Sequence, residues 1–187
     1  MEQKLHSWLR SLRRKKEAEG GYGLGFGSWN PIFHCLRTST ENISERGDDE
    51  LDVLYDLYVS GLNEISEDKR IHDRGVRVQV VGRLDMLPSK VRDAISHAEE
   101  VTSDYSDFTF TVCLAYGGRE EIVDAVKSVA VDHASGNLEV GSIDSSEITN
   151  RMYASELPDP DLVIRTSGEE RISNFLLWQI AYSELHF

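Results

Sequence analysis

The sequence predicts an α/β fold, a single domain in which a mostly parallel central sheet is flanked by helices. Short β-branched or apolar runs alternate along the chain with amphipathic segments of about 10–15 residues, the pattern of βαβ units. The 187 residues are 40% hydrophobic and 28% charged, an ordinary composition for one globular domain with a substantial core. No apolar run reaches the roughly 18–20 residues of a membrane span, and no signal-peptide pattern opens the chain.

Four runs have the composition of strands, since β-branched and aromatic residues dominate them and polar or glycine residues follow. The predicted strands are Ile32–Leu36, Val76–Val81, Phe108–Tyr116 and Leu162–Ile164. Three of them end in the loops RTSTEN, YGGREE and RTSGEER. Because ligands bind at the carboxyl ends of strands in such sheets, these three loops are expected to form the functional site.

The segments between the strands carry apolar residues at helical spacing. The predicted helices are Glu2–Leu12, Glu50–Ile65, a segment from Ser89 to about Val101, Arg119–Val131, Ser145–Ala154 with Ser145 or Ser146 as its cap, and Ser173–Tyr182. Residues 1–31 are predicted to form an atypical helix followed by a basic and glycine-rich segment, and residues 32–187 are predicted to form the α/β domain.

The charge balance excludes one class of partner. The formal net charge is -13, from 33 acidic against 20 basic residues, whereas a nucleic-acid-binding protein needs a basic surface. An acidic surface suits a salt-rich cytoplasm, or is simply well solvated. Cys35 and Cys113 form no metal or redox motif, so a reducing cytoplasmic setting is predicted.

Two arginines, Arg165 and Arg171, bracket a small-residue loop after the last predicted strand. The hydroxyl of Ser173 follows, where the last predicted helix begins. A guanidinium binds phosphate oxygens through two parallel hydrogen bonds, and the free N–H groups of a helix N-terminus attract the same anion. The stretch therefore predicts a site for a doubly charged phosphate group. The alternative is that both arginines pair with Glu169 or Glu170 on a solvated loop.

The stretch PDPDLVIRTSGEERISNFLLWQIAYSELHF resembles the C-terminal signature of the cis-prenyltransferases, the undecaprenyl diphosphate synthase family. The similarity continues backwards through AYGGREEIVDAV and GVRVQVVGRLDMLP to STEN, and so covers roughly residues 32–187. It implies the condensation of isopentenyl diphosphate onto an allylic diphosphate with Mg²⁺, giving a Z-configured polyprenyl diphosphate. It also implies a cytoplasmic homodimer that contacts the membrane peripherally when product is released.

The resemblance assigns roles to individual residues. Arg165, Arg171 and Ser173 match the positions that hold the diphosphate of isopentenyl diphosphate, in agreement with the phosphate site predicted above. Glu184 matches an acidic residue associated with Mg²⁺ and the same diphosphate. If 173–184 were one straight helix, its ends would lie roughly 16 Å apart, so Glu184 would join the site only through a bend after Tyr182 or through another subunit.

The STEN loop carries the remaining predicted site residues. Ser39 and Asn42 match residues tied to proton removal and substrate positioning in the family, although a turn or helix-capping role explains such residues as well. The family has an arginine three residues after that asparagine. Glu45 occupies this position here, and Arg46 follows it, so Arg46 is the candidate phosphate ligand if the loop has absorbed one residue.

The sequence departs from the family at both ends. The opening DGNxRWA-type loop, which supplies the Mg²⁺-binding aspartate, is not found, and the chain stops where members continue into a further segment. A non-catalytic partner subunit and an inactive truncated fragment are therefore the alternative hypotheses. The allylic starter is left open between a C15 and a C20 diphosphate. Leu54, Leu57, Leu62 and Ile65 are candidates for lining a product tunnel, with ordinary core packing as the alternative.

Overall fold

A computed structural model describes residues 32–36, 39–40, 43, 47–165 and 168–187. Strands β1 (Ile32–Leu36), β2 (Val76–Val81) and β3 (Phe108–Cys113) form a parallel sheet in the order β1-β3-β2. Ile32 pairs with Thr109 on one side of β3, and Val76 pairs with Phe108 on the other. The predicted parallel sheet is confirmed. The predicted helix at 2–12 and the glycine-rich segment lie outside the described residues.

Helices connect and cover these strands. The helices are α1 (Asp48–Glu67), α2 (Lys69–Asp73), α3 (Ser89–Glu100), α4 (Gly118–Ala134) and α5 (Ser145–Thr149), with single 3₁₀ turns at Leu84–Met86 and Val140–Ser142. The three long helices confirm the segments predicted from apolar spacing, and each extends or ends within three residues of the predicted bounds. Among the described residues, no helix has both the length and the apolar character that crossing a bilayer requires.

The main core lies between the sheet and the helices α1 and α3. Its members include Leu62 and Ile65 of α1, Val91 and Ile95 of α3, and Val78 of β2, all with less than 9% of their surface exposed. Burial of such a side chain stabilises the fold by about 1.5–3 kcal/mol. Two of the candidate tunnel residues are thus members of the core. A third, Leu57, is half exposed on the same helix.

Helix α5 is shorter than predicted. The sequence predicts a helix over 145–154 capped by a serine, but the helix ends at Thr149 and its cap is Asp144, whose carboxylate accepts from the backbone N–H of Glu147 at 3.0 Å. Beyond the helix, the N–H groups of Arg151 and Met152 donate to carbonyls three residues back, which forms tighter turns. The N–H of Tyr153 donates to the buried carboxylate of Glu121, at 2.9 Å, so a tertiary contact takes the place of the next helical hydrogen bond.

A second sheet lies near the C-terminus. Strand β4 (Leu162–Ile164) is confirmed, but its described partner is a parallel strand, β5 (Glu184–His186), that the sequence analysis did not predict. Five apolar residues of the small sheet and its flanks are 46% exposed or more. They are Leu162, Ile164, Tyr182, Leu185 and Phe187.

The predicted helix over 173–182 is wrong. The backbone forms successive turns there, and Ser173, Asn174 and Leu176 have φ values of 47°, 58° and 47°. An L-residue in a right-handed helix has a negative φ, so these three positions exclude a helix. The polar contacts of Asn174 with helix α4 and the burial of Leu176, 3% exposed, hold this conformation.

Candidate functional site

The described part of the STEN loop contacts the YGGR loop, and the YGGR loop contacts the segment that follows the arginine loop. Ser39 forms an isolated parallel bridge with Tyr116, and the N–H of Thr40 donates to the carbonyl of Tyr116 at 3.3 Å. On the far side of the same loop, the N–H of Gly118 donates to the carbonyl of Asn174 at 2.7 Å. The YGGR loop therefore joins the start of the STEN loop to the segment that follows the two arginines.

Two glycines make this approach possible. A Cβ on Gly118 would lie 2.8 Å from the Cγ of Leu177 and 2.9 Å from its backbone nitrogen. A Cβ on Gly117 would lie 2.9 Å from the side-chain nitrogen of Asn174. Real Cβ atoms do not come this close to backbone, so a larger residue at 118 would push the C-terminal segment away.

Arg165 leaves the carboxyl end of β4, and its N–H donates to the carbonyl of His186 at 2.9 Å. The Arg165 guanidinium is 27% exposed and donates through one nitrogen to the Oγ of Ser173, at 2.8 Å, and to the carbonyl of Arg171. These contacts bring the predicted residues 165 and 173 together. The expected contribution of a helix N-terminus is wrong, because no helix begins at Ser173.

Glu169 lies between the two arginines. Its Oε2 is 2.6 Å from the NH2 nitrogen of Arg171 and 3.3 Å from that of Arg165. The pairing considered as the alternative in the sequence is therefore present. Two guanidiniums share one carboxylate, so these three side chains keep a net positive charge in a chain whose formal charge is -13. The side chains of Arg171 and Glu169 are 70% and 41% exposed, which leaves the cluster open to an anion from solvent.

Glu184 is not brought to the arginines within this chain. It pairs with Leu162 at the start of the small sheet, and its N–H donates to the carbonyl of Asp161 at 2.9 Å. Arg165 follows Leu162 by three residues, which separates the two positions by about 10 Å along the strand. No group of three or more His, Cys, Asp or Glu residues that could hold a metal ion occurs in the part of the chain that the structure describes.

Two predicted site residues, Asn42 and Arg46, lie outside the described residues, and so do residues 166 and 167 of the arginine loop.

A buried carboxylate that the sequence analysis did not single out connects three segments behind the site. Glu121 is 1% exposed. It accepts from the hydroxyl of Tyr116 at 2.5 Å, from the side-chain amide of Gln179 at 3.1 Å and from the N–H of Tyr153. Burial, and next the charge of Glu121, raise the pKa of Tyr116, so its hydroxyl remains a neutral donor. The signal in the sequence was an acid on the inner face of an amphipathic helix.

An ion pair fixes the outer flank of α4. Arg83 donates to both carboxylate oxygens of Asp124, at 2.9 and 2.8 Å, and the hydroxyl of Tyr153 donates to the same carboxylate at 2.6 Å. The hydrogen bond from Arg83 holds the pKa of Asp124 below its ordinary value. Burial, followed by the bond to Asp124, raises the pKa of Tyr153. The loop after β2 is thereby tied to α4 and to the segment before β4.

Comparison with known proteins gives a consistent result. The Prenyltransf family model, which describes undecaprenyl diphosphate synthases, matches residues 34–187. A Pyrococcus horikoshii protein named tritrans,polycis-undecaprenyl-diphosphate synthase (geranylgeranyl-diphosphate specific) is 52% identical over 191 residues, covering 95% of this chain and 72% of the relative. A Methanopyrus kandleri protein of the same name is 50% identical over 149 residues, 80% of this chain and 55% of that protein.

Solved structures agree. Lavandulyl diphosphate synthase from Lavandula x intermedia, in complex with dimethylallyl diphosphate, superposes with a TM-score of 0.76 at 30% identity, covering 83% of this chain and 66% of that one. A probable undecaprenyl diphosphate synthase from Campylobacter jejuni superposes with a TM-score of 0.72 at 32% identity, covering 84% of this chain and 71% of that one. The chain belongs to the undecaprenyl diphosphate synthase family and is a cis-prenyltransferase by fold and class.

Proposed function

We propose that this chain condenses isopentenyl diphosphate onto an allylic diphosphate and so builds a Z-configured polyprenyl diphosphate, the precursor of a lipid carrier. The names of several relatives, among them the Pyrococcus horikoshii and Pyrococcus abyssi proteins at 52% and 50% identity, specify geranylgeranyl diphosphate. That agreement favours the C20 starter over the C15 starter.

The environment of Arg165 is the observation that carries the proposal. Its guanidinium is fixed at the carboxyl end of a parallel strand by Ser173, and its other nitrogen faces the carboxylate of Glu169. We assign the diphosphate of isopentenyl diphosphate to the place of that carboxylate, between Arg165 and Arg171. A planar guanidinium donates two parallel hydrogen bonds to phosphate, and Ser173 adds a hydroxyl beside it.

These three residues would hold isopentenyl diphosphate, which is the nucleophile of the reaction. Isopentenyl diphosphate keeps its own diphosphate, and its double bond attacks the first carbon of the allylic substrate as the allylic diphosphate leaves; a proton is then lost. Holding the diphosphate fixes the position of the double bond, which lowers the entropic part of the barrier. We assign proton removal and positioning to Ser39 and Asn42, and phosphate contact to Arg46. The bridge between Ser39 and Tyr116 supports this, because it keeps Ser39 at the edge of the sheet where the arginine loop lies.

We also propose that Mg²⁺ is required, because it neutralises the charge of diphosphate when bound. Mg²⁺ commonly binds through one or two carboxylates together with substrate phosphates. Glu184 is the carboxylate that we assign to it. Since Glu184 and Arg165 lie about 10 Å apart along one strand pair, we propose that Glu184 serves the site of a second subunit.

The proposed assembly is a homodimer. The exposed apolar side chains of the small sheet, together with Tyr182 at 97% exposure, are the surface that favours contact with a second copy. We further propose a cytoplasmic enzyme that meets the membrane surface only to release its apolar product, and no role in binding nucleic acid.

A second candidate function is a non-catalytic subunit that stabilises a complete enzyme. The DGNxRWA-type loop that supplies the family's Mg²⁺-binding aspartate is not found in the sequence, and this favours the non-catalytic subunit. The cluster of Arg165, Arg171 and Ser173 favours the enzyme, since a purely structural subunit has no need of a phosphate site.

The decisive experiment measures Mg²⁺-dependent incorporation of labelled isopentenyl diphosphate into extractable polyprenyl product by the purified chain, with geranylgeranyl diphosphate and farnesyl diphosphate as alternative starters. The Arg165→Ala/Arg171→Ala variant runs beside it, and Arg77→Ala/Arg92→Ala is the matched control, because both of these arginines are exposed on the far elements β2 and α3. Calorimetric titration with isopentenyl diphosphate alone gives binding without turnover.

The enzyme hypothesis is supported if the wild-type chain incorporates isopentenyl diphosphate, the Arg165→Ala/Arg171→Ala variant does not, and the control variant still does. We expect the first variant to lose at least about 100-fold in affinity, because two charged hydrogen-bonding groups are removed. Binding without incorporation by a cooperatively folded chain would support the partner subunit. A wild-type chain that neither binds nor turns over isopentenyl diphosphate would refute both the phosphate site and the enzyme.

A further inference from the structure

The segment that carries Ser173 has a backbone that short-range preferences do not favour. Ser173, Asn174 and Leu176 all have φ near +50°, in the left-handed region. Asparagine tolerates this conformation, but serine and leucine adopt it at a cost of roughly 1–3 kcal/mol each. Such a conformation persists only where surrounding contacts determine it.

Asn174 makes three of those contacts, all with the first turn of α4. Its carbonyl accepts from the N–H of Gly118 at 2.7 Å, and its side-chain oxygen accepts from the N–H of Arg119 at 2.8 Å. Its side-chain nitrogen donates to the carboxylate of Glu120 at 3.0 Å. The residue at the N-cap position of α4, Gly117, has no side chain to accept these N–H groups. Asn174, 55 residues away in sequence, therefore caps the helix.

This cap lies between the two halves of the site. On one side, Asn174 is bonded to Ser173, whose hydroxyl accepts from Arg165. On the other side, the loop that it caps begins at Tyr116, which pairs with Ser39. A shift at Asn174 would therefore move the phosphate-binding residues Arg165 and Ser173 relative to the residues assigned to proton removal.

We infer that Asn174 is a positioning residue. By capping α4, it fixes the position of Arg165 and Ser173 relative to Ser39 and the YGGR loop. Its kinetic consequence rests on the proposed function. Asn174 keeps the two half-sites aligned, so its loss lowers kcat more than it weakens binding of isopentenyl diphosphate. A displacement of about 1 Å between reacting groups is enough to cost on the order of 100-fold in rate.

The test uses an exchange of donor and acceptor. Asn174→Ala removes both side-chain hydrogen bonds. Asn174→Asp keeps the acceptor for the Arg119 N–H but places a carboxylate against Glu120. Combining it with Glu120→Gln restores a donor and an acceptor with their roles reversed. Asn63→Ala, an exposed asparagine on α1, is the control.

We expect Asn174→Ala and Asn174→Asp to lower kcat by about 10- to 100-fold, with less than about a threefold change in the Kd of isopentenyl diphosphate. The double variant Asn174→Asp/Glu120→Gln should recover kcat to within about threefold of wild type. A lowered melting temperature with unchanged kcat in Asn174→Ala would reduce the residue to a structural cap. Failure of the double variant to recover would equally overturn the inference.

A second readout does not depend on turnover. Hydrogen exchange in peptides that cover residues 117–121 and 168–176 should accelerate together in Asn174→Ala and return towards wild type in the double variant, while the peptide over β3 stays protected. If the wild-type chain incorporates nothing, the proposed function fails, and exchange still decides the inference. Unchanged exchange at 168–176 in Asn174→Ala would refute it.

Discussion

The central sheet and the C-terminal segment of 162–187 are built on different principles. In β3 and its continuation, Val112, Cys113 and Leu114 are between 0% and 6% exposed, whereas Ile164 and Leu185 of the small sheet are 61% and 48% exposed. Apolar burial stabilises the first region. The second leaves its strands exposed and is attached to the rest of the protein by a small apolar cluster, in which Leu176 packs with Tyr116 and Cys113, and by hydrogen bonds from a few side chains.

The residues predicted to bind the diphosphate of isopentenyl diphosphate lie mostly in the second region. Arg165, Arg171 and Ser173 stand on turns. These turns contact the rest of the protein through the hydrogen bonds of Asn174 and Gln179 and through the buried side chain of Leu176. Regions with few buried apolar contacts open at lower free-energy cost than the core. Stability and site geometry are therefore expected to be separable by mutation.

The largest effect is expected in the core. Leu62→Ala should lower the free energy of unfolding by about 2–5 kcal/mol, because it leaves a cavity in α1 where Leu62 is 4% exposed. Leu57→Ala on the same helix is the matched control. Leu57 is 50% exposed, so a change within about 0.5 kcal/mol is expected. Denaturant unfolding measures both, and equal losses in the two variants would show that Leu57 is buried in the folded protein, as a tunnel or interface residue would be.

The second prediction concerns the carboxylate behind the site. Glu121→Ala should cost about 2–3 kcal/mol, because the buried hydroxyl of Tyr116 and the donors of Gln179 and Tyr153 lose their common acceptor. Glu64→Ala, an exposed acid on α1, controls for the loss of charge. Denaturant unfolding with hydrogen exchange measures the effect. A loss confined to the global transition, with no faster exchange in 168–180, would break the proposed link between Glu121 and the C-terminal segment.

The third prediction concerns the anion site itself. Glu169→Gln should tighten binding of isopentenyl diphosphate by about two- to fivefold, because the ligand no longer displaces a carboxylate from the two arginines. The gain should shrink at high salt. Glu170→Gln, the exposed neighbour with the same change of charge, should have less effect. Calorimetric titration decides it. Weaker binding in Glu169→Gln would mean that the carboxylate orients the guanidiniums rather than competing with the ligand.

The smallest effect is a pH dependence at the flank of α4. The pKa of Asp124 is held below its ordinary value of 3.8 by Arg83, so its ion pair stabilises the fold above that pH and the contribution is lost as pH falls through the lowered pKa. The contribution should be under about 1 kcal/mol, since both side chains are about 30% exposed. Thermal unfolding from pH 6 to pH 3 should show a flatter acid limb in Asp124→Asn than in wild type. Asp93→Asn, an exposed aspartate on α3, should match wild type; an acid limb unchanged by Asp124→Asn would contradict the prediction.

The difference between the regions also explains which predictions from sequence held. The strand Val76–Val81 and the helices α1, α3 and α4 follow from runs of apolar residues whose spacing matches one secondary structure. The helices predicted at 145–154 and 173–182 failed in part or in full. At the first place the N–H of Tyr153 bonds to the distant carboxylate of Glu121, and at the second the carbonyl and side chain of Asn174 bond to the first turn of α4. Sequence spacing does not report such contacts.

The residues of the site were likewise only partly predictable from the sequence. The spacing of Arg165, Arg171 and Ser173 indicated a phosphate site, and the chemistry of the guanidinium is a property of the residue wherever it lies. Asn174 and Glu121 were not identified, because a helix cap supplied from 55 residues away and a carboxylate shared by three segments exist only once the chain is folded.

By itself the sequence determined the parallel sheet and its covering helices, because composition and local periodicity fix these properties. The resemblance of its motifs indicated the family, and residue chemistry indicated the phosphate-binding side chains. The tertiary structure alone decided the turn conformation of 173–182, the pairing of β4 with β5 and the separation of Glu184 from Arg165. These features depend on which polar groups meet across long stretches of chain. Their energies of a few kcal/mol are enough to override the helical preference of a short apolar segment.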